Sequence, residues 1–116
     1  MTILLTFGQY ASSQQQQIAV GEDPEDAMEV ALEASLEDGQ RGEIQEVVVA
    51  NGYAYGIWIV GESAGVYVAK DLVGEDDPER WGVTCATGGV FNPQELANQC
   101  GVPINTATEL YHQLIE

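Results

Sequence analysis

Runs of β-branched and aromatic residues alternate along the chain with segments of helical periodicity. The segment VVVANGYAYGIWIV predicts a β-hairpin, because Asn51 and Gly52 suit the positive φ angles of a two-residue type I′ turn. A third apolar run at 66–69 extends the hairpin to an antiparallel meander. Residues 81–87, WGVTCAT, add a further candidate strand.

Two short strands are also predicted near the N-terminus. Residues 2–10 are rich in β-branched and aromatic types, and a glutamine-rich turn separates them from the apolar run at 18–20. An exposed edge strand at residues 2–8 could pair with a second copy of the chain, so a homodimer is a possible assembly.

The first helix is predicted over residues 24–38. Asp23 is a typical N-cap and Pro24 suits the first helical position. Gly39 and Gly42 predict where the helix stops. On a helical wheel, its apolar face comprises Ala27, Val30, Ala31 and Ala34, widened by Met28 and Leu32.

Two capping boxes predict a pair of helices at the C-terminus. The boxes are Asn92 with Glu95, before a helix over 93–99, and Thr106 with Glu109, before a final helix ending near Ile115. The fold class is therefore α+β, with an antiparallel sheet of about four to six strands, one packed helix and a C-terminal helical hairpin. We expect one domain over 1–116, with the sheet and first helix in 1–91 and the helical tail in 92–116.

The tail at about 92–114 resembles a helix-turn-helix. Its matching residues are Leu96 and Ala97 in the first helix, Gly101 and Val102 at the turn, and Ala107 and Leu110 in the second helix. The resemblance implies a recognition helix bearing Ile104, Asn105, Thr106, Thr108, Glu109 and His112, none of which is Lys or Arg. A helical hairpin that packs on the sheet or mediates protein contacts is the other interpretation, and a DNA-binding regulator stays an alternative.

The charge balance restricts the class of partner. The chain has 19 Asp and Glu against three Lys and Arg, a formal net charge of −16. Affinity for DNA or RNA comes largely from Lys and Arg at phosphates, so Arg41, Lys70 and Arg80 are too few for direct nucleic-acid binding. An anionic membrane surface would also repel the chain, whereas a basic protein surface would attract it.

Carboxylates gather in two segments, which we predict to form a partner-binding surface. The two sets are Asp26, Glu29, Glu33 and Glu37 along the first helix and Glu75, Asp76, Asp77 and Glu79 in a loop. A line of carboxylates several ångströms apart imitates a phosphate strand, so a protein with a positive DNA or RNA groove could bind it as a decoy. In charge and size the chain resembles small phage and plasmid proteins that inhibit restriction or CRISPR machinery. A solvated helix face and adaptation to high salt are the alternative explanations of the acidity.

No catalytic residue is predicted. The segment GESAG at 61–65 resembles the nucleophile motif of carboxylesterases, and Ser63, Asp71 or Asp76, and His112 occur in the order of that family's triad. The residues after Ser63 have a strand pattern where the family needs a helix, so we interpret GESAG as a hairpin turn. The acidic loop lacks the spacing of a calcium-binding EF-hand, and we expect neither metal nor cofactor.

The two cysteines and the N-terminus favour a cytoplasmic protein. Cys85 and Cys100 form no CxxC motif, and we interpret them as reduced, half-buried thiols of the core. The N-terminus lacks the pattern of a signal peptide, and no apolar run is long enough to span a membrane.

Overall fold

The computed structural model describes residues 19–72 and 80–116. These ranges contain five strands and three helices. The strands are β1 (Val20–Gly21), β2 (Gly42–Ala50), β3 (Tyr53–Val60), β4 (Ser63–Asp71) and β5 (Trp81–Thr87), and the helices are α1 (Pro24–Ser35), α2 (Pro93–Cys100) and α3 (Ile104–Leu114). The predicted strand at 2–10 and the acidic loop residues 75–79 lie outside the described residues.

The strands form one antiparallel sheet in the order β1-β5-β4-β3-β2. The predicted meander is confirmed, because β2, β3 and β4 pair consecutively. The turn between β2 and β3 is the expected one, with φ of 51° at Asn51 and 84° at Gly52. GESAG forms the next hairpin: Gly61 and Glu62 make the turn and Ser63 begins β4.

Helices cover both faces of the sheet, so the molecule has three layers. On one face, α2 and α3 bury a core that includes Tyr55, Val68 and Leu110. On the opposite face, α1 buries a second core that includes Met28, Leu32 and Trp81. The α+β prediction with one packed helix and a C-terminal helical pair is confirmed.

Helix α1 begins as predicted but ends earlier. The Asp23 side chain accepts a hydrogen bond from the Asp26 amide at 2.8 Å, as an N-cap does. The helix ends at Ser35, where 38 was predicted, and Leu36 is already extended. Three further residues would place the Glu37 and Asp38 carboxylates at the negative end of the helix dipole, which disfavours them.

The buried face of α1 is rotated from the predicted one. Ala27, Met28 and Leu32 are buried, whereas Val30 is 47% exposed and Ala34 is also exposed. The two larger side chains decide the orientation, because they bury more apolar area than valine and alanine would.

A glycine allows α1 to lie close to the sheet. A Cβ at Gly56 on β3 would lie 2.6 Å from the Met28 Sδ atom and 3.0 Å from a methyl group of Val47. The absent side chain therefore makes room for the buried Met28.

The two C-terminal helices confirm one capping box and contradict the other. Asn92 and Glu95 bond each other's backbone amides at 2.8 and 3.0 Å. The final helix begins at Ile104, two residues before the predicted cap at Thr106. Thr106 is buried within α3, and its hydroxyl accepts a hydrogen bond from the Asn51 side chain at 3.1 Å. The predicted cap at Thr106 is therefore wrong, because this residue lies inside α3 and its hydroxyl bonds Asn51 in the β2–β3 turn.

The interpretation of the cysteines as reduced thiols is wrong. Cys85 on β5 and Cys100 at the end of α2 form a disulfide, with their Cα atoms 5.6 Å apart. Both side chains are half-buried, as predicted. Their sequence separation of 15 does not indicate this proximity, which arises only because α2 folds back over β5.

Candidate protein-binding surface

The outer side of α1 carries carboxylates opposite its buried side. Successive helical residues are rotated by about 100°, so Asp26, Glu29 and Glu33 fall within one sector of about 60°, roughly opposite Met28 and Ala31 at the middle of the buried face. All three are exposed. Glu37 lies beyond the helix end in a turn, where its amide donates to the Gln40 side-chain oxygen at 2.8 Å, and it too is exposed.

Carboxylates are unevenly distributed over the molecule. Of the fifteen Asp and Glu in the described ranges, eight precede β2 and all eight are exposed: Glu22, Asp23, Glu25, Asp26, Glu29, Glu33, Glu37 and Asp38. We call these eight the α1 acidic surface. On the other side of the sheet lie fewer carboxylates, namely Glu95 and Glu109 in α2 and α3 and Glu43 and Glu46 on β2. Among the described residues, the carboxylates are therefore concentrated on the α1 side.

No cationic side chain lies within α1. Arg80 directly precedes β5, and its guanidinium forms two hydrogen bonds to the Asp71 carboxylate at 3.1 and 2.8 Å. The Lys70 ammonium group lies 6.0 Å from the centre of the Tyr53 ring. Arg41 is exposed in the connection between α1 and β2. The α1 acidic surface is thus not neutralised by bases on its own helix.

The repulsion within this surface is visible at Glu29. Partial desolvation, followed by the negative charges of Glu25, Asp26, Glu33 and Asp23, raises the pKa of Glu29 above its usual value. A cationic partner would relieve this repulsion, because each positive charge brought near the helix favours the ionised carboxylate.

A surface cleft of about 300 Å³ lies between α1 and β2. It is lined by Glu29, Leu32, Glu33, Gly42, Glu43 and Ile44. Leu32 and Ile44 both belong to the core under α1, so the cleft combines apolar side chains with carboxylates. A lysine or arginine suits such a cleft, because its aliphatic stem can lie on apolar atoms while its charged end meets oxygen atoms.

Sequence reasoning missed the contribution of β2. Glu43 and Glu46 are exposed on this strand, which pairs only with β3 among the described residues. Regular alternation would place Glu43 and Glu46 on opposite faces of β2, but the bulge between Ile44 and Glu46 puts both side chains on the same face. The proximity of β2 to Glu29 and Glu33 depends on where α1 crosses the sheet, which no local pattern indicates.

The residues of the carboxylesterase-like and helix-turn-helix-like segments lie outside the α1 acidic surface. Ser63 is exposed and is followed by strand β4. In α3, Ile104, Asn105, Thr108, Glu109 and His112 are exposed, while Thr106 faces the sheet. Within 19–72 and 80–116, no three His, Cys, Asp or Glu side chains are grouped so that they could hold a metal ion. None of the helices in those ranges is both long and apolar enough to cross a bilayer.

Comparison of the chain with protein-family models, with curated proteins and with solved structures found no match.

Proposed function

We propose that the protein binds a basic surface of another protein through the α1 acidic surface. The partner that this chemistry fits best is a protein with a positively charged DNA or RNA groove, such as a restriction or CRISPR component. Binding there would exclude the nucleic acid and inhibit the partner.

The observation that carries this proposal is the uneven placement of charge. Solubility alone does not require carboxylates to be grouped, and a surface that mixes positive and negative side chains is sufficient for it. Here eight exposed carboxylates occur within residues 22–38, a segment that contains no Lys or Arg. Such a surface attracts a cationic groove over distances of about 10 Å at ordinary ionic strength.

Affinity capture with matched charge variants tests the proposal. We would immobilise the wild type, the triple variant Glu29→Gln/Glu33→Gln/Glu37→Gln, and the control Glu62→Gln/Glu109→Gln/Glu116→Gln. Both variants remove the same formal charge, but the control residues belong neither to α1 nor to the segments beside it in sequence. The expected result is capture of a nucleic-acid-binding protein by the wild type and the control, with duplex DNA displacing it.

Inhibition is then measured with the captured protein. Its nucleic-acid binding should fall when wild-type protein is added and recover with the triple variant. Equal loss of capture by both variants would show that only total charge matters, and capture that DNA cannot displace would exclude the decoy.

Direct DNA binding through α2 and α3 is the alternative that the helix-turn-helix resemblance implies. Fluorescence anisotropy of labelled duplex DNA separates the two functions. Saturable, sequence-dependent binding at low salt would support a regulator, and the proposed decoy predicts none.

A further inference from the structure

Strand β2 presents an unpaired backbone edge in the described part of the sheet. Its register with β3 places Ala50 opposite Tyr53 and Val49 opposite Ala54. On the far side of β3, the Asp71 amide donates to the Gly52 carbonyl at 2.8 Å, so the Tyr53 backbone groups point toward β2. The hydrogen-bonding groups of Val49 therefore point away from β3.

The same alternation applies further along the strand. Val47 pairs with Gly56 and Ile44 with Trp58, at positions equivalent to that of Val49. The N–H and C=O groups of Ile44, Val47 and Val49 thus form a row along the edge. Gln45 lies at a bulge between the first two, where the register shifts.

Side chains on both faces of this edge are suited to a basic strand. On the α1 face lie the half-buried Ile44 and Val47, the 48% exposed Val49, and the carboxylates of the α1 acidic surface. On the opposite face lie Glu43 and Glu46, which pair with Ile59 and Ile57. A strand added to β2 would therefore meet carboxylates whichever way its side chains point.

We infer that β2 is a docking edge for an extended basic segment of a partner protein, which adds a sixth strand to the described sheet. This inference rests on the proposed function and specifies how the partner engages. Backbone hydrogen bonds to Val47 and Val49 fix the position of the added strand. Its Lys or Arg side chains contact Glu43 and Glu46 or enter the cleft between α1 and β2.

A second copy of the chain fits this edge poorly. Each copy has a formal charge of −16, and pairing β2 with itself would bring the α1 acidic surfaces and both pairs of edge glutamates together. Like charges on neighbouring strands disfavour such pairing, and edge carboxylates are a known protection against it.

Three labelled peptides of about ten residues test the inference with the full chain. One alternates valine and lysine, the second, the proline–lysine peptide, has the same number of lysines in the repeat Lys-Lys-Pro-Pro, and the third alternates valine and glutamate. The first two have equal charge, but the prolines of the second fall on both edges of an extended segment and remove N–H groups from each edge. We expect the valine–lysine peptide to bind about five- to tenfold more tightly than the proline–lysine peptide, because backbone hydrogen bonds add to the charge attraction. The valine–glutamate peptide should not bind.

Amide hydrogen exchange gives a readout that charge attraction alone would not change. The valine–lysine peptide should slow the exchange of the Val47 and Val49 amides, while the Val48 amide is already protected by β3. The variant Val47→Pro removes an outward N–H and should reduce binding of this peptide only. Glu43→Gln/Glu46→Gln should weaken both lysine peptides more than the control Glu62→Gln/Glu109→Gln.

Each other outcome overturns the inference. Equal binding of the two lysine peptides, without protection at Val47 and Val49, would remove the docking edge but leave the acidic surface as the binding site. Slow exchange at both amides in the free protein would mean that residues 1–18 or a second copy already covers the edge, and sedimentation distinguishes these two. If neither lysine peptide binds, the proposed function fails as well.

Discussion

At the scale of single residues, Tyr55 connects the sheet to the segment before α2. It is fully buried, and its hydroxyl both donates to the Phe91 carbonyl at 2.7 Å and accepts from the Phe91 amide at 2.9 Å. Tyr55→Phe would leave two buried backbone groups without this partner. We expect the free energy of unfolding to fall by about 2 kcal/mol in urea titrations, with Tyr53→Phe within about 0.5 kcal/mol of wild type as the control.

The same tyrosine predicts a loss of stability at alkaline pH. Burial raises the pKa of Tyr55 to about 12 from 10.0. The unfolded chain therefore loses this proton first, so the stabilisation is complete below pH 10.0 and is lost as pH rises toward about 12. Unfolding measured across this range should show a steeper fall for wild type than for Tyr55→Phe. Parallel pH profiles would contradict the assignment.

At the scale of elements, α1 is held on the sheet by close packing while its outer side is self-repelling. Gly56→Ala tests the packing, because the new methyl group would meet Met28 and Val47. Thermal unfolding should show a loss of about 1–3 kcal/mol. Gly88→Ala is the control, since nothing lies within 4 Å of its added Cβ. An unchanged Tm in Gly56→Ala would mean that α1 can move away from β3 without cost.

Because the carboxylates on the outer side of α1 repel one another, removing one of these negative charges should stabilise the fold. Glu29→Gln removes the negative charge that faces Glu25, Asp26 and Glu33. The free energy of unfolding should rise by some tenths of a kcal/mol at low ionic strength, and about 0.5 M salt should abolish the gain. Glu62→Gln, in the turn between β3 and β4, should show no such gain. A destabilised Glu29→Gln would indicate that this carboxylate has a structural role.

At the scale of the whole molecule, the disulfide links the helical layer to the sheet. It closes a loop between residues 85 and 100, for which chain entropy predicts a stabilisation of about 3 kcal/mol. Adding a dithiol reductant should lower the Tm of wild type toward that of Cys85→Ala/Cys100→Ala, and should leave the variant unchanged. A wild type indifferent to reductant would show that packing alone holds α2.

The compartment stays a prediction. Disulfides persist in oxidising environments and are reduced by cytosolic thiols, so the oxidation state of Cys85 and Cys100 in cell extracts tests the cytoplasmic assignment directly.

The dependence of stability on salt distinguishes a partner-binding role of the carboxylates from adaptation to high salt. If the carboxylates serve a partner, the chain should be folded at low ionic strength, with a Tm that rises only modestly with KCl. A chain that unfolds without molar KCl would favour salt adaptation over a decoy surface.

Local patterns in the sequence determined the β2–β3 hairpin, the β4 and β5 strands, the starts of α1 and α2, and the outward position of Asp26, Glu29 and Glu33. Each depends on residues within a few positions of one another, as in the turn at Asn51 and Gly52. Tertiary structure alone decided that Thr106 bonds Asn51, that Cys85 reaches Cys100, and that β2 borders the acidic helix. These features join residues distant in sequence, and their proximity follows from how the helices cross the sheet, because packing of Met28, Leu32 and Tyr55 selects one arrangement from many that the local patterns allow.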